Sequence, residues 1–313
     1  MKIIFILIVN FFLSWLFTKL ITDPFKKLIP DIPNDRSSHK IVKPRGGGLS
    51  FILTNLVTSN IFNQVNFLFL IPLSLTGFID DFFNLSRFSR LLVQIATSFI
   101  ILFESSFYKF LLNSDNFIIE FLLIALLILI CTGIINFCNF MDGIDGILSG
   151  SFLTIYIFAS FILLEPIWGI MGSLMGFLFW NWSPSKIFMG DVGSNFLGGT
   201  LIWIFLNTTS IYDSIGLLVI AGPILIDPFI CLIRRFISKE NIFEAHNLHL
   251  YQRLCKGSLN HQKVSLIYMF SIIFIGISFF IGGIKFEIVS FISIIIFGYW
   301  LDKRYAQPFS KLI

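Results

Sequence analysis

Apolar runs of about 15–20 residues, separated by short polar stretches, recur along the whole chain, as expected of helices crossing a hydrocarbon layer about 30 Å thick. Eleven are predicted, over 3–22, 46–62, 67–79, 91–105, 117–135, 147–164, 167–182, 195–209, 215–233, 264–282 and 286–301. The third and eighth are short for a full crossing and are expected to tilt, break or borrow neighbouring residues; ten crossings is the alternative count. The longest polar stretch, 234–263, has room for a short amphipathic element on the membrane surface. No internal repeat, low-complexity tract or soluble domain interrupts the pattern. The predicted fold class is all-α, a polytopic integral membrane protein of about 10–11 transmembrane helices, with 1–313 as one domain.

Composition agrees. With 56% hydrophobic and 13% charged residues and a mean hydropathy of +0.88, the chain cannot present the charge-rich surface of a soluble protein. The net charge of +4 is small and dispersed, which gives no footprint for nucleic acid. Its distribution orients the helices instead. With the N-terminus outside, 18 of the 22 Lys and Arg fall in the loops and tail facing the cytosol, among them Arg36, Lys40, Lys43 and Arg45 of the first such loop. The first run lacks a small-residue cleavage site after it and is expected to be retained as a helix rather than removed as a signal. The cysteines, Cys131, Cys138, Cys231 and Cys255, show no CxxC or Cys/His metal spacing, so no disulfide framework is expected.

The informative residues are polar ones at the ends of apolar runs, all on the predicted inner face. A carboxylate at membrane depth costs roughly 2.5–3.5 kcal/mol on insertion scales, so clustered acids there point to a site. Asp80 and Asp81 end the third run, followed by Arg87 and Arg90. Adjacent carboxylates repel, which suits one of them to proton transfer, and the arginines suit an anion. After the fifth run, Asn136, Asn139, Asp142 and Asp145 recur every third position, the last two each followed by glycine. Oxygen donors on one helical stripe fit a hard cation such as Mg²⁺, which takes one or two protein oxygens together with phosphates. Before the eighth run, Asp191 stands between Gly190 and Gly193, with Ser194 as the expected N-cap of the next helix. A glycine-rich turn at a helix start offers backbone N–H groups to phosphate. His246 and His249, with Arg253 close behind, mark the longest inner loop and could contact phosphate or sugar or carry a proton. With no third soft ligand nearby in the sequence, zinc is not expected at this pair. His39 and the run Gly46–Gly48 add basic and glycine-rich character before the second run.

In combination these motifs resemble the polyprenyl-phosphate N-acetylhexosamine-1-phosphate transferases, the MraY/WecA-like glycosyl transferase family 4. The resemblance runs in family order from Arg36-Ser-Ser-His39 through Asp80-Asp81, Asn136-x-x-Asn139-x-x-Asp142-Gly-Ile-Asp145-Gly146 and Phe188-Met-Gly-Asp191-x-Gly-Ser194 to Arg253. It implies a Mg²⁺-dependent enzyme, with Mn²⁺ able to substitute, that moves a sugar 1-phosphate from a UDP-N-acetylhexosamine-type donor to undecaprenyl or another polyprenyl phosphate and releases UMP. It implies Asp191 as the principal metal ligand with Asn139 helping, Asp80 as the base acting on the lipid phosphate with Asp81 beside it, and Asp142 and Asp145 organising the nucleotide and metal region. His249 and His246 would contact the donor, with Asn136, Arg87, Arg90, Arg253, Gly193 and Ser194 as further substrate-binding positions. Direct in-line attack is favoured over an aspartyl intermediate, which stays open. A bacterial inner-membrane location with the site on the cytosolic face, contact with membrane lipid and a homodimer are also expectations.

The histidine loop departs from the His-rich or Arg-bearing patterns of the family's branches. It reads His246-Asn-Leu-His249, and its ending His-Leu-Tyr-Gln-Arg-Leu is similar to the O-antigen-initiating, WbpL-like branch. A UDP-N-acetylated hexosamine or its 6-deoxy derivative is the expected donor. The main competing reading is a transporter with a cytosol-facing cation or anion site, but transporters place ionisable groups near mid-membrane, whereas these acids lie at inner ends. A CDP-alcohol phosphatidyltransferase would need a small residue and Arg after Asp142-Gly-Ile, where Asp145-Gly stands.

Overall fold

The computed structural model describes residues 1–33, 41–107, 117–242, 244 and 246–309; Arg36, His39, Lys40, Lys109 and Lys311 lie outside them. Every predicted apolar run is helical. The helices are α1 (Lys2–Leu28), α2 (Gly48–Phe62), α3 (Ile71–Phe83), α4 (Arg87–Glu104), α5 (Phe117–Phe140), α6 (Ile147–Ile162), α7 (Trp168–Asn181) and α8 (Asp191–Leu206). They continue with α9 (Ile211–Ile220), α10 (Gly222–Ile237), the short α11 (Leu250–Gly257) and α12 (His261–Arg304). Among the described residues the only strands are β1 (Pro30–Asp31) and β2 (Lys43–Pro44), paired antiparallel. The protein is an all-α polytopic membrane protein.

Among the described residues three helices, α1, α5 and α12, are long and apolar enough to cross a membrane by length and composition; α9 and α10, bent by 67° at Ala221, make a fourth if counted as one span. The last two predicted runs are the arms of α12, broken at Gly283 (φ 64°, ψ −163°). Helices α2, α3, α6, α7 and α8 have 13 to 16 residues and rise about 20–24 Å, short of a hydrocarbon core. Helix α8 is the buried centre: from Val192 to Leu206 every residue is buried, packed by α2, α3, α4 and α5.

Large apolar side chains on α1, α5 and both arms of α12 face outward, as a lipid-facing surface requires. Inward contacts are closer and more polar. On α1 the buried stripe Asn10, Ser14, Thr18 repeats every four residues. It is met by Thr58 and Ser50 of α2 and Ser173 of α7 through hydrogen bonds of 2.5, 2.7 and 3.2 Å. Gly172 and Gly176 let α7 approach the carbonyls of Leu7 and Phe11, leaving no room for a side chain. Small residues and interhelical hydrogen bonds hold helices together where lipid removes the hydrophobic drive.

Candidate active site

The site forms around the N-terminus of α8, which the first loop clamps from behind. The Gly47 and Gly48 N–H groups donate to the carbonyls of Phe188 and Met189 (both 2.9 Å), and Phe188 N–H donates to Pro44 O (2.9 Å). The turn so fixed ends at Gly190 (φ 76°, ψ 168°), and Asp191 follows as the first residue of α8, where a negative charge complements the helix dipole. Asp81 reaches across from α3: its carboxylate accepts from the N–H groups of Asp191 (3.2 Å) and Val192 (3.4 Å). Asp80 turns aside to accept from Leu85 N–H (2.5 Å) and the Arg90 guanidinium (2.8 Å). Arg90 also lies 3.6 Å from Asp191.

The other wall is the end of α5. Asn139 donates to Ser194 Oγ (3.0 Å), and its amide and the Asp80 carboxyl both interact with the Asp191 carboxylate. Asp142 sits in the turn beyond α5 and accepts from Gly190 N–H; burial, then the charges of Asp191 and Asp81, push its pKa well above the usual carboxylate range. The predicted stripe is therefore helical only through Phe140, and Asp142 and Asp145 are delivered by the turn that follows.

Charge counting says what this cleft can hold. Four carboxylates, Asp80, Asp81, Asp142 and Asp191, meet two guanidinium groups, Arg90 and Arg45, and Arg45 is also committed to Asp31 at 2.7 Å. The acidic groups outnumber the guanidinium groups two to one, and the Asp191 side chain keeps 30% exposure. Convergent carboxylate and amide oxygens open to solvent fit a hard divalent cation.

Asp145 stands apart from this cluster. It is buried against Lys43 (3.4 Å), Ser185 Oγ (2.6 Å) and N–H (3.1 Å), and His261 (3.4 Å). Burial raises its pKa, but the His261 and Ser185 hydrogen bonds and the Lys43 charge prevail and hold it below the usual range. A depressed folded-state pKa contributes stability that is complete above about pH 4 and is lost as pH falls below that. Melting curves in detergent should show this acid-side loss in the wild type. Asp145→Asn should lower Tm at neutral pH and flatten the acid limb.

The histidine loop docks on the same end of α5. The His249 ring stacks on Phe140 (5.8 Å) and Tyr251 (5.9 Å), and Tyr251 donates to Phe140 O (2.8 Å). The loop thus meets α5 at Phe140, the neighbour of Asn139. Burial first, then the positive surroundings, lower the pKa values of His246 to about 3 and His249 to about 4, so both are neutral at pH 7.

Asp227 of α10, which the sequence reading passed over, holds this loop. Its buried carboxylate accepts from the N–H groups of Leu250 (2.7 Å) and Tyr251 (3.1 Å) and from Tyr268 OH (2.6 Å). It caps α11 from a distance of over twenty residues, which no local signature announces. Asp227→Asn should lower turnover about tenfold with a modest fall in Tm, since it turns one charged acceptor into a donor facing N–H groups. Steady-state kinetics beside a melting curve check this.

Several predicted positions are placed elsewhere. Arg253 is buried on Asp302 (2.5 Å), Leu248 O (3.0 Å) and Gln307 O (3.0 Å), bracing α11 against the chain end rather than facing the acids. Asn136 pairs with Gln94 of α4 (2.9 Å), and Arg87 is exposed on the first turn of α4. Ser194 is not the N-cap of α8; that position is Gly190. The N–H groups of the first turn are not free for phosphate either: Asp81 takes the first two, and Gly190 O accepts from Gly193 (3.0 Å) and Ser194 (3.1 Å). Gly193 instead lets α8 pack on Gly48.

Residues 63–209, which hold all the acids of the cluster and Asn139, match the family model described as glycosyl transferase family 4. The chain is 30% identical over 298 residues to a probable undecaprenyl-phosphate N-acetylglucosaminyl 1-phosphate transferase of Bacillus subtilis, covering 85% of this chain and 83% of that protein. It belongs to this family of polyprenyl-phosphate sugar-1-phosphate transferases. An undecaprenyl-phosphate alpha-N-acetylglucosaminyl 1-phosphate transferase of Thermotoga maritima is 34% identical over 236 residues, covering 71% of this chain and 72% of its own length. A phospho-N-acetylmuramoyl-pentapeptide-transferase of Staphylococcus aureus is 32% identical over 210 residues, covering 56% and 65%. The family-model match thus falls on the segment that builds the cleft, while the similarity to the Bacillus subtilis protein spans most of the chain.

Proposed function

We propose that the protein transfers a sugar 1-phosphate from a UDP-sugar to undecaprenyl phosphate, releasing UMP, as a membrane step in cell-envelope glycan synthesis. The observation that carries this is the convergence of four carboxylates and two arginines at the ends of α3, α5 and α8, in a chain of this family. The acceptor is a lipid and the donor is soluble, so the reaction belongs at a helix-end cleft on the cytosolic face. The basic loops support that orientation, with the N-terminus outside and the bacterial inner membrane as host.

Asp191 and Asn139 would hold Mg²⁺, or Mn²⁺ in its place, which supplies charge neutralisation for the diphosphate. A lipid phosphate oxygen attacks the β-phosphorus of the donor; the bond from that phosphorus to the bridging oxygen breaks, and UMP leaves with the oxygen. Phosphoryl transfer of this kind needs positioning and charge more than covalent chemistry. Arg90, which pairs with Asp80 and lies near Asp191, would receive the lipid phosphate, and Arg87, exposed on the first turn of α4, would guide its approach. Asp80 accepts the remaining phosphate proton. Asp81 and Asp142 fix the Gly190–Val192 backbone, and neutral His249 and His246 contact the donor from the facing loop. A UDP-N-acetylhexosamine or 6-deoxy derivative, directed to O-antigen, is the donor reading that the loop sequence supports.

Purified protein incubated with undecaprenyl phosphate, Mg²⁺ and a panel of UDP-sugars should release UMP with an N-acetylated hexosamine donor. If none of the panel yields UMP that depends on the lipid phosphate, the reading is wrong.

A further inference from the structure

The sequence argues against a soft-metal site at the histidine pair for want of a third ligand. The fold supplies one: Cys231 of α10 comes beside His246 and His249, with one ligand atom from each lying within 4.8 Å of the other two. We propose that Cys231, His246 and His249 form a binding site for a zinc-class ion, separate in donor chemistry from the carboxylate cleft. One thiolate and two imidazoles are the donor set that selects zinc over magnesium, and three protein ligands leave a position for water or a phosphate oxygen.

The site is built rather than incidental. Cys231 is buried, and His249 is 3% exposed. His249 and Gln252 face each other across the first turn of α11, where the Gln252 amide oxygen accepts from His249 N–H (3.3 Å). The sealed His249 Nδ1 has only the Gln252 backbone N–H facing it in this capping box and completes no regular hydrogen bond. A buried ring nitrogen so weakly paired can take a ligand in place of that contact. The rings of His246 and His249 lie 4.8 Å apart. Metal binding at His246 Nδ1 would displace one hydrogen bond, the 3.3 Å contact from Leu248 N–H.

The surroundings fix both the ligands and the charge. Asp227, one helical turn before Cys231, holds the turn that carries His249. Arg235 orders the preceding segment through Glu240 (2.9 Å), Asn241 O (2.6 Å) and Glu244 O (2.9 Å). Asp227, Arg234, Arg235 and Arg253 all lie within electrostatic range of the Cys231 sulfur. Asp227 offsets part of the positive charge that a bound ion adds.

The consequence rests on the function proposed above. An ion held there occupies the two histidines that face the donor, so zinc should inhibit transfer and a chelator should restore it. Inhibition would then report cytosolic zinc.

The test is equilibrium binding of Zn²⁺ to the purified full-length protein against a chromophoric chelator, with Co²⁺ absorption as the spectroscopic probe. Wild type and Cys255→Ser should bind one equivalent and give a thiolate-to-cobalt charge-transfer band. Cys231→Ser should lose the band and bind at least about a hundredfold more weakly, since even second-shell changes cost 10–100-fold. Cys231→Ala and a melting curve guard against misfolding. Cys231→Ser should keep Mg²⁺-dependent UMP release and escape zinc inhibition. Equal binding by Cys231→Ser and wild type, or no binding by wild type, overturns the inference. An active wild type that binds no zinc would leave the transferase reading standing.

Discussion

Replacing Asp191 by Asn is expected to lower the rate of UMP release by roughly 10³-fold, the scale seen when a charge-stabilising group is removed from a phosphoryl- or acyl-transfer site. That factor is about 4 kcal/mol of transition-state stabilisation. Asn is nearly isosteric, and the backbone N–H of residue 191 still donates to Asp81, so α8 keeps its cap. What changes is the charge left over in the cleft and the carboxylate between Asn139, Asp80 and Arg90. The fall should appear in kcat with little change in Tm, and raising Mg²⁺ should recover part of it. A rate within threefold of wild type at saturating Mg²⁺ would remove Asp191 from the reaction.

Gly190→Ala is expected to lower both stability and activity, for a reason no side-chain chemistry predicts. Gly190 has φ 76° and ψ 168°, a region almost confined to glycine and costing about 1–3 kcal/mol for another residue. An added Cβ would also stand 2.5 Å from Asp81 Oδ2 and 2.7 Å from Gly46 N. The strain therefore falls on the carboxylate that caps α8 and on the loop clamped behind it. A Tm drop of several degrees and at least tenfold lower turnover should follow, measured by a melting curve and UMP release. Gly133→Ala, where the added methyl meets nothing within 4 Å, is the control that should change neither.

These two residues mark the limits of what the chain discloses by itself. Apolar runs located the helices because period and length are local properties, and the acids at their ends stood out because burial makes them costly. The motif Gly190-Asp191-Val-Gly193-Ser194 suggested a phosphate-binding helix start, yet Asp81, 110 residues away, occupies those N–H groups. Asp145 belonged to the motif by spacing, but its partners Lys43, Ser185 and His261 come from three distant segments. Arg253 read as a ligand-facing cation because it follows the histidines; Asp302, forty-nine residues on, claims it. Cys231 and Asp227 gave no signal, since their roles exist only once α10 lies against the loop. Local pattern yielded elements and donor types, and pairing across the sequence decided which donors stay available.

The central claim is that one cation-dependent cleft joins a UDP-sugar to a lipid phosphate. Its most direct measurement is the stoichiometry of UMP and lipid-linked sugar diphosphate formed by wild-type protein, with undecaprenyl phosphate or Mg²⁺ each withheld in turn. The account predicts equal amounts of the two products when both are present, and neither product when either is missing. UMP formed without lipid phosphate, or lipid product formed in excess EDTA, would contradict it.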